Sequence, residues 1–294
     1  MLITEGYVDF REFRTYYRIA GACCAGKKPL LLLHGGPGST HNYFEVLDTL
    51  AEEDGRSLIM YDQLGCGESQ AQERTDLFQM SVWLEELINL RRALHIEECH
   101  ILGHSWGGML LLEYICRHSP AGICSIILSS TLPSSSLWAD EQRRLVQELP
   151  QEMQKAISEA EAAGDYTSEA YKRANKEFMR RHCGPDLTPD SPSCLTRAKK
   201  AGGKSYLTAW GPNEYTPLGN LKDFDCLEEL TDIRIPALIT SGAADMCTPL
   251  IAGIMKERIP GAEWVLFQNS RHTAFVEENR LYMDVLKDWL NRHD

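Results

Sequence analysis

Short runs of consecutive apolar residues, separated by amphipathic stretches of helical length, set the pattern of this chain. Pro29–Leu33, Ser57–Tyr61, His100–Leu102, Ile123–Leu128, Pro236–Thr240 and Trp264–Phe267 are too continuous to be half-exposed strands and predict strands buried on both faces. Between them, Asn42–Glu53 and Ser81–Leu94 carry helical periodicity, the second through Val82, Leu87, Ile88, Leu90 and Leu94. Met109–Tyr114 continues as a helix after a glycine-flanked turn, and an amphipathic helix over Glu277–Asn291 closes the chain. Strands alternating with helices imply βαβ units, hence an α/β fold with a mostly parallel central sheet and helices on both faces. Ile3–Ala20 instead alternates apolar and polar around Glu12, which predicts a hairpin at the sheet edge.

The alternation stops between Pro133 and Leu230. That stretch holds two charged amphipathic segments, Asp140–Ala163 and Ser168–His182, and then a Pro- and Gly-rich region without a buried strand. The expected organisation is a core formed by residues 1–132 and 231–294, with a helical cap inserted over 133–230. Such an insert would lie over the carboxyl ends of the strands, where open α/β sheets bind ligands.

Composition narrows the partners. With 294 residues, 43% hydrophobic and 24% charged, the chain is ordinary for a globular protein. Its net charge of −12 argues against nucleic acid or an anionic membrane surface as partner. No basic-then-apolar leader and no run long enough to span a bilayer is seen. The ten cysteines are scattered without C-x-x-C spacing, which supports neither zinc nor a redox pair, and reduced thiols in a cytoplasmic protein are expected.

Chemistry concentrates at strand ends. Gly103-His104-Ser105-Trp106-Gly107-Gly108 follows an apolar strand and opens a helix, the pattern of a sharp turn that exposes a nucleophilic serine. Such a serine needs a base and an acid to orient it, following in the order Ser, Asp, His. Of nine histidines only His272 lies in a loop directly after a late strand, and Asp245 lies just past the strand before it. Two backbone amides should face the developing oxyanion, and those of Trp106 and of Gly36, in the loop His34-Gly35-Gly36-Pro37-Gly38, are the candidates. Asp62 precedes the serine and reads as a loop-structuring residue. Gly202-Gly203-Lys204-Ser205 imitates the end of a phosphate-binding loop, but Ala198 replaces its first glycine and no strand precedes it.

Three motifs together carry a resemblance along essentially the whole chain: His34–Gly38, Asp62-Gln63-Leu64-Gly65-Cys66-Gly67-Glu68-Ser69, and Gly103–Gly108. They resemble the proline iminopeptidase branch of the α/β hydrolases. The resemblance implies Ser105, Asp245 and His272 as a catalytic triad, Gly36 and Trp106 as the oxyanion hole, and no metal or organic cofactor. Gly211-Pro212-Asn213-Glu214-Tyr215 is similar to the cap segment of tricorn-interacting aminopeptidases, which implies that Glu214 holds a substrate's free α-ammonium. Members of that group often carry a second glutamate after the catalytic aspartate, and here Met246 stands in its place. The ammonium would then be held by Glu214 alone or shared with another acid such as Glu228, and Met246 would line a more apolar pocket. The expected function is release of an N-terminal proline or small apolar residue from short peptides or amino-acid amides. An amidase or carboxylesterase on the same triad is the alternative, and a non-enzymatic binding protein a remote one. Oligomeric state is not legible in the sequence.

Overall fold

The computed structural model describes residues 1–71 and 74–294. Eight strands form one sheet: β1 (Ile3–Phe10), β2 (Phe13–Ala20), β3 (Leu30–Leu33), β4 (Leu58–Tyr61), β5 (Cys99–His104), β6 (Ile123–Ser129), β7 (Ala237–Gly242) and β8 (Glu263–Phe267). Their order is β1-β2-β4-β3-β5-β6-β7-β8. The β1–β2 hairpin turns at Arg11-Glu12 and adds antiparallel to β4, whereas every later pairing is parallel.

Strand β3 shows why continuous apolar runs mark the sheet centre. Leu31 and Leu33 enter one core with the helix faces of α2 (Met80–Ala93) and α3 (Trp106–His118). Leu30 and Leu32 enter the other, against Phe44, Leu47 and the C-terminal Trp289. All four leucines are fully buried, so alternation gives no polar face. Ile88, expected on the buried face of α2, is instead 39% exposed.

Two predicted helices are divided in the structure. Asn42–Glu53 becomes a 3₁₀ turn over His41–Leu47 followed by α1 (Asp48–Asp54). The amide and ring of His41 both bond to Asp62, so the first turn is shaped by a tertiary contact as well as by helical pairing. Asp140–Ala163 divides into α4 (Ser135–Val146) and α5 (Gln151–Ala163), because Pro150 has no N–H to continue the first helix and instead caps the second. With α6 (Glu169–His182), α7 (Ser193–Thr196) and α8 (Gly203–Ala209), these fill the chain between β6 and β7. The sheet then resumes and is covered by α9 (Pro249–Arg258), α10 (Ala274–Glu277) and α11 (Asn279–Arg292). Among the described residues no helix is long and apolar enough to cross a membrane.

A partly buried charge cluster ties Asp294 to the amino ends of the central strands. Arg56 is fully buried, bonds Asp54 through Nε at 2.9 Å, and bonds both Asp294 carboxylate oxygens at 2.8 Å. Removing one partner of a buried ion pair leaves its charge uncompensated. Asp294→Ala is therefore expected to cost about 3 kcal/mol, reduced to the extent that Asp54 compensates. The change would be read as a lower midpoint in chemical denaturation with an unchanged slope.

Candidate active site

Ser105 links β5 to α3 with φ 55° and ψ −123°, a conformation rarely adopted by a residue with a side chain. Tertiary bonds on both sides hold it there. Its amide donates to the Ser129 carbonyl at 3.0 Å, and Thr131 Oγ1 donates to its carbonyl at 2.6 Å. The turn is possible because its flanks lack side chains. A Cβ on Gly103 would lie 2.5 Å from the Gly107 carbonyl oxygen, and one on Gly107 would lie 2.1 Å from that of Leu33. Ser105 itself stays partly exposed, while the residues on either side are buried.

Asp245 follows β7 and His272 follows β8, so both stand at the same carboxyl edge of the sheet as Ser105. His272 Nδ1 lies 2.6 Å from Asp245 Oδ1. The carboxylate only accepts, so Nδ1 carries the hydrogen and Nε2 is left with its lone pair. Asp245 is itself fixed by the amides of Cys247, at 2.8 Å to Oδ1, and Gly242, at 3.3 Å to Oδ2. Burial works against charging His272, but the Asp245 charge and hydrogen bond, helped by Glu214, carry its pKa above the usual histidine value.

The glycine loop after β3 lies directly against this turn. A Cβ on Gly35 would be 3.0 Å from Ser105 Cβ. Gln63 joins the two elements, donating to the His34 carbonyl at 2.9 Å and accepting the Trp106 indole N–H at 2.6 Å. The Trp106 amide opens α3, where first-turn donors have no partner within the helix. Gly36, at φ 118°, lines a cleft of about 400 Å³ whose far wall includes Glu214, Tyr206 and Asn175.

Glu214 is partly accessible to that cleft. Burial raises its pKa, opposed by the Tyr206 hydrogen bond and the His272 charge. Tyr206 donates its hydroxyl to Oε1 at 2.8 Å, and Oε2 has no protein partner among the described residues. The Trp138 indole donates to the Glu214 carbonyl at 2.8 Å, and its ring centroid stands 6.0 Å from that of His272.

Residues 28–279 match the alpha/beta hydrolase fold family. The chain is 59% identical to the proline iminopeptidase of Clostridium botulinum and 51% identical to that of Clostridioides difficile, each over 294 residues and 100% of both chains. The crystal structure of the Mycobacterium smegmatis proline iminopeptidase superposes with a TM-score of 0.87 at 32% identity, covering 99% of this chain and 98% of that one. The chain belongs to the proline iminopeptidase family.

Ser105, Asp245, His272, Gly36 and Trp106 all stand at one edge of the sheet, and Glu214 shares a cleft with Gly36. Met246 does not line that cleft. It is 1% exposed in the main core, and its carbonyl accepts from Gln142 of α4 at 2.8 Å. Glu228 is a surface carboxylate paired with Arg258 at 3.3 Å, with its side chain 90% exposed. Asp62 structures its loop as expected, accepting from His41 and from the Glu68 amide. The Gly202–Ser205 stretch, which imitates a phosphate loop, instead braces the glycine loop. The Gly202 amide donates to the Gly38 carbonyl at 2.7 Å, and a Cβ on Gly38 would lie 2.4 Å from the Gly202 carbonyl oxygen. Sequence reasoning missed Gln63, Tyr43, Trp138 and Tyr206. Gln63 alone had a local signal, its place inside a recognised motif.

Proposed function

We propose that this protein is a cytoplasmic serine aminopeptidase that releases an N-terminal proline or small apolar residue from short peptides or amino-acid amides. The observation that carries the reading is a nucleophile and a base at one sheet edge beside a cleft that holds a carboxylate of the inserted helical segment. A strained, accessible serine, a histidine whose free Nε2 is set by a buried aspartate, and a cleft-lining carboxylate with one unpartnered oxygen occur together. The family and the relatives named proline iminopeptidase support the same substrate class. All ten cysteines are free, which fits a reducing compartment.

Ser105 Oγ attacks the carbonyl carbon of the substrate's first residue while His272 Nε2 takes the hydroxyl proton. Negative charge forms on the former carbonyl oxygen and is met by the Gly36 and Trp106 amides. Asp245 stabilises the His272 imidazolium, which protonates the departing amine as the C–N bond breaks. Water, deprotonated by His272, then attacks the acyl-enzyme and frees the amino acid and Ser105. Residues 133–230 act as the cap, and Glu214 pairs with the substrate's α-ammonium. An N-blocked substrate brings no cation, so it forfeits that pairing and leaves the carboxylate unpaired.

A panel of prolyl anilide, alanyl anilide, an amino-acid amide and a simple acyl ester, each amine substrate also N-acetylated, tests the reading. Free prolyl anilide is expected to be hydrolysed best and its acetylated form poorly. Preference for the ester regardless of blocking would make the protein a carboxylesterase. Glu214→Ala is expected to lower kcat/KM for free-amine substrates about 10- to 100-fold, the value of a hydrogen bond to a charged group, and to affect acetylated ones much less. Equal losses on both would remove Glu214 as the amine anchor.

A further inference from the structure

Hydrogen bonds around His104 form a directed chain between the glycine loop and the loop that carries His272. The Gly35 amide donates to the Tyr43 hydroxyl at 2.5 Å, and that hydroxyl lies 3.0 Å from His104 Nδ1. On the other side of the ring, His104 Nε2 lies 2.9 Å from the His272 carbonyl oxygen. A carbonyl can only accept, so Nε2 carries the hydrogen. In a neutral ring Nδ1 is then an acceptor and receives a hydrogen bond from the Tyr43 hydroxyl. The polarity runs one way, from the Gly35 N–H through the Tyr43 O–H to His104, and from the His104 N–H to the His272 carbonyl.

The surroundings keep this ring uncharged. His104 is 4% exposed, with Phe44 and Phe275 packed edge-on at 6.3 and 5.0 Å. Burial and the neighbouring His272, 4.8 Å away between centroids, both hold its pKa well below the ordinary value. An imidazolium on His272 therefore forms beside a neutral ring rather than beside a second cation.

We propose that Tyr43 and His104 are positioning residues that fix the Gly35–Gly36 loop and the His272 loop in one register on either side of Ser105. The proposal rests on the assignment of Ser105, His272 and Gly36 in the preceding section. Gly35 is the contact point, since an added Cβ would lie 3.0 Å from Ser105 Cβ and 3.2 Å from His104 Nδ1. Movement of either loop would be transmitted through three hydrogen bonds to the other. The oxyanion donor and the base are thus set together rather than separately.

Steady-state kinetics on prolyl anilide, thermal midpoints and phosphonate labelling of Tyr43→Phe, His104→Gln and His104→Asn test the proposal. Gln can place an amide N–H near the former Nε2 and reach the His272 carbonyl. Asn can replace Nδ1 as acceptor for Tyr43 but is too short to reach that carbonyl. Tyr43→Phe and His104→Asn are expected to lose about 10- to 100-fold in kcat, the scale of a misplaced catalytic group, with KM within about twofold of the native value. His104→Gln, which keeps the bond to the His272 carbonyl but offers Tyr43 no acceptor, is expected to lose measurably less kcat than His104→Asn. Equal losses in the Gln and Asn variants, losses confined to KM, or losses that merely follow the thermal midpoint would overturn the proposal. Failure of the phosphonate to label Ser105 in the native protein would instead overturn the underlying site assignment. Labelling of Ser105 with unchanged kcat in Tyr43→Phe would overturn the positioning role alone.

Discussion

Ser105→Ala is expected to lower kcat on prolyl anilide by about 10⁵- to 10⁶-fold, the range seen when a triad nucleophile is removed. The fold should be unaffected. Alanine keeps the Cβ, so the backbone at φ 55° is no more strained, and the bonds that hold it come from Ser129 and Thr131 rather than from the serine hydroxyl. Thermal midpoints within a few degrees, together with loss of phosphonate labelling, complete the expected result. Undiminished turnover would place the nucleophile elsewhere.

Asp245→Asn should have the next largest effect, about 10⁴-fold in kcat. The Cys247 and Gly242 amides both donate to this side chain, so an asparagine would turn its oxygen toward them and its NH₂ toward His272. His272 Nδ1 would then have to accept, which moves the hydrogen to Nε2 and occupies the lone pair needed as base. The pH profile should move as well. The native His272 pKa lies above the ordinary value partly because of the Asp245 charge, and activity requires the unprotonated ring, so activity is lost as pH falls through that raised pKa. Without the charge, residual activity should persist to lower pH. A kcat/KM profile from pH 5 to 9 with the acid limb unmoved or moved upward would contradict this electrostatic role.

Residues whose position follows from local rules could be read directly. Leu30–Leu33 announces a central strand because both of its faces are buried, and the glycines around Ser105 announce the turn because no side chain fits there. Asp245 and His272 could be found from their order and from their places just past strands. The partners that hold these groups follow no such rule. Tyr43 meets His104 61 residues away, and His104 meets the His272 carbonyl 168 residues away. His104 is adjacent to the nucleophile, yet nothing in its neighbours tells which loop its ring will reach. Met246 is different again. The resemblance puts a pocket-lining residue there, and the structure buries its side chain at 1% exposure in the core while its carbonyl accepts from α4.

The tight apposition of Gly38 and Gly202 bears on how such a protein could be re-engineered. Chimeras that exchange substrate preference by transplanting a whole helical insertion assume that its joints are the two strand ends where it leaves and rejoins the sheet. Here a third joint lies in the middle, where 2.7 Å separates the Gly202 nitrogen from the Gly38 oxygen. A donor insertion with any side chain at the position of Gly202 would bring its Cβ 2.4 Å from Ser205 Oγ and 2.5 Å from the Gly65 carbonyl oxygen, so the loop after β4 that braces this joint would have to shift. The smallest transplantable piece therefore includes that glycine, and a graft that omits it should alter turnover on every substrate, including those its new pocket fits.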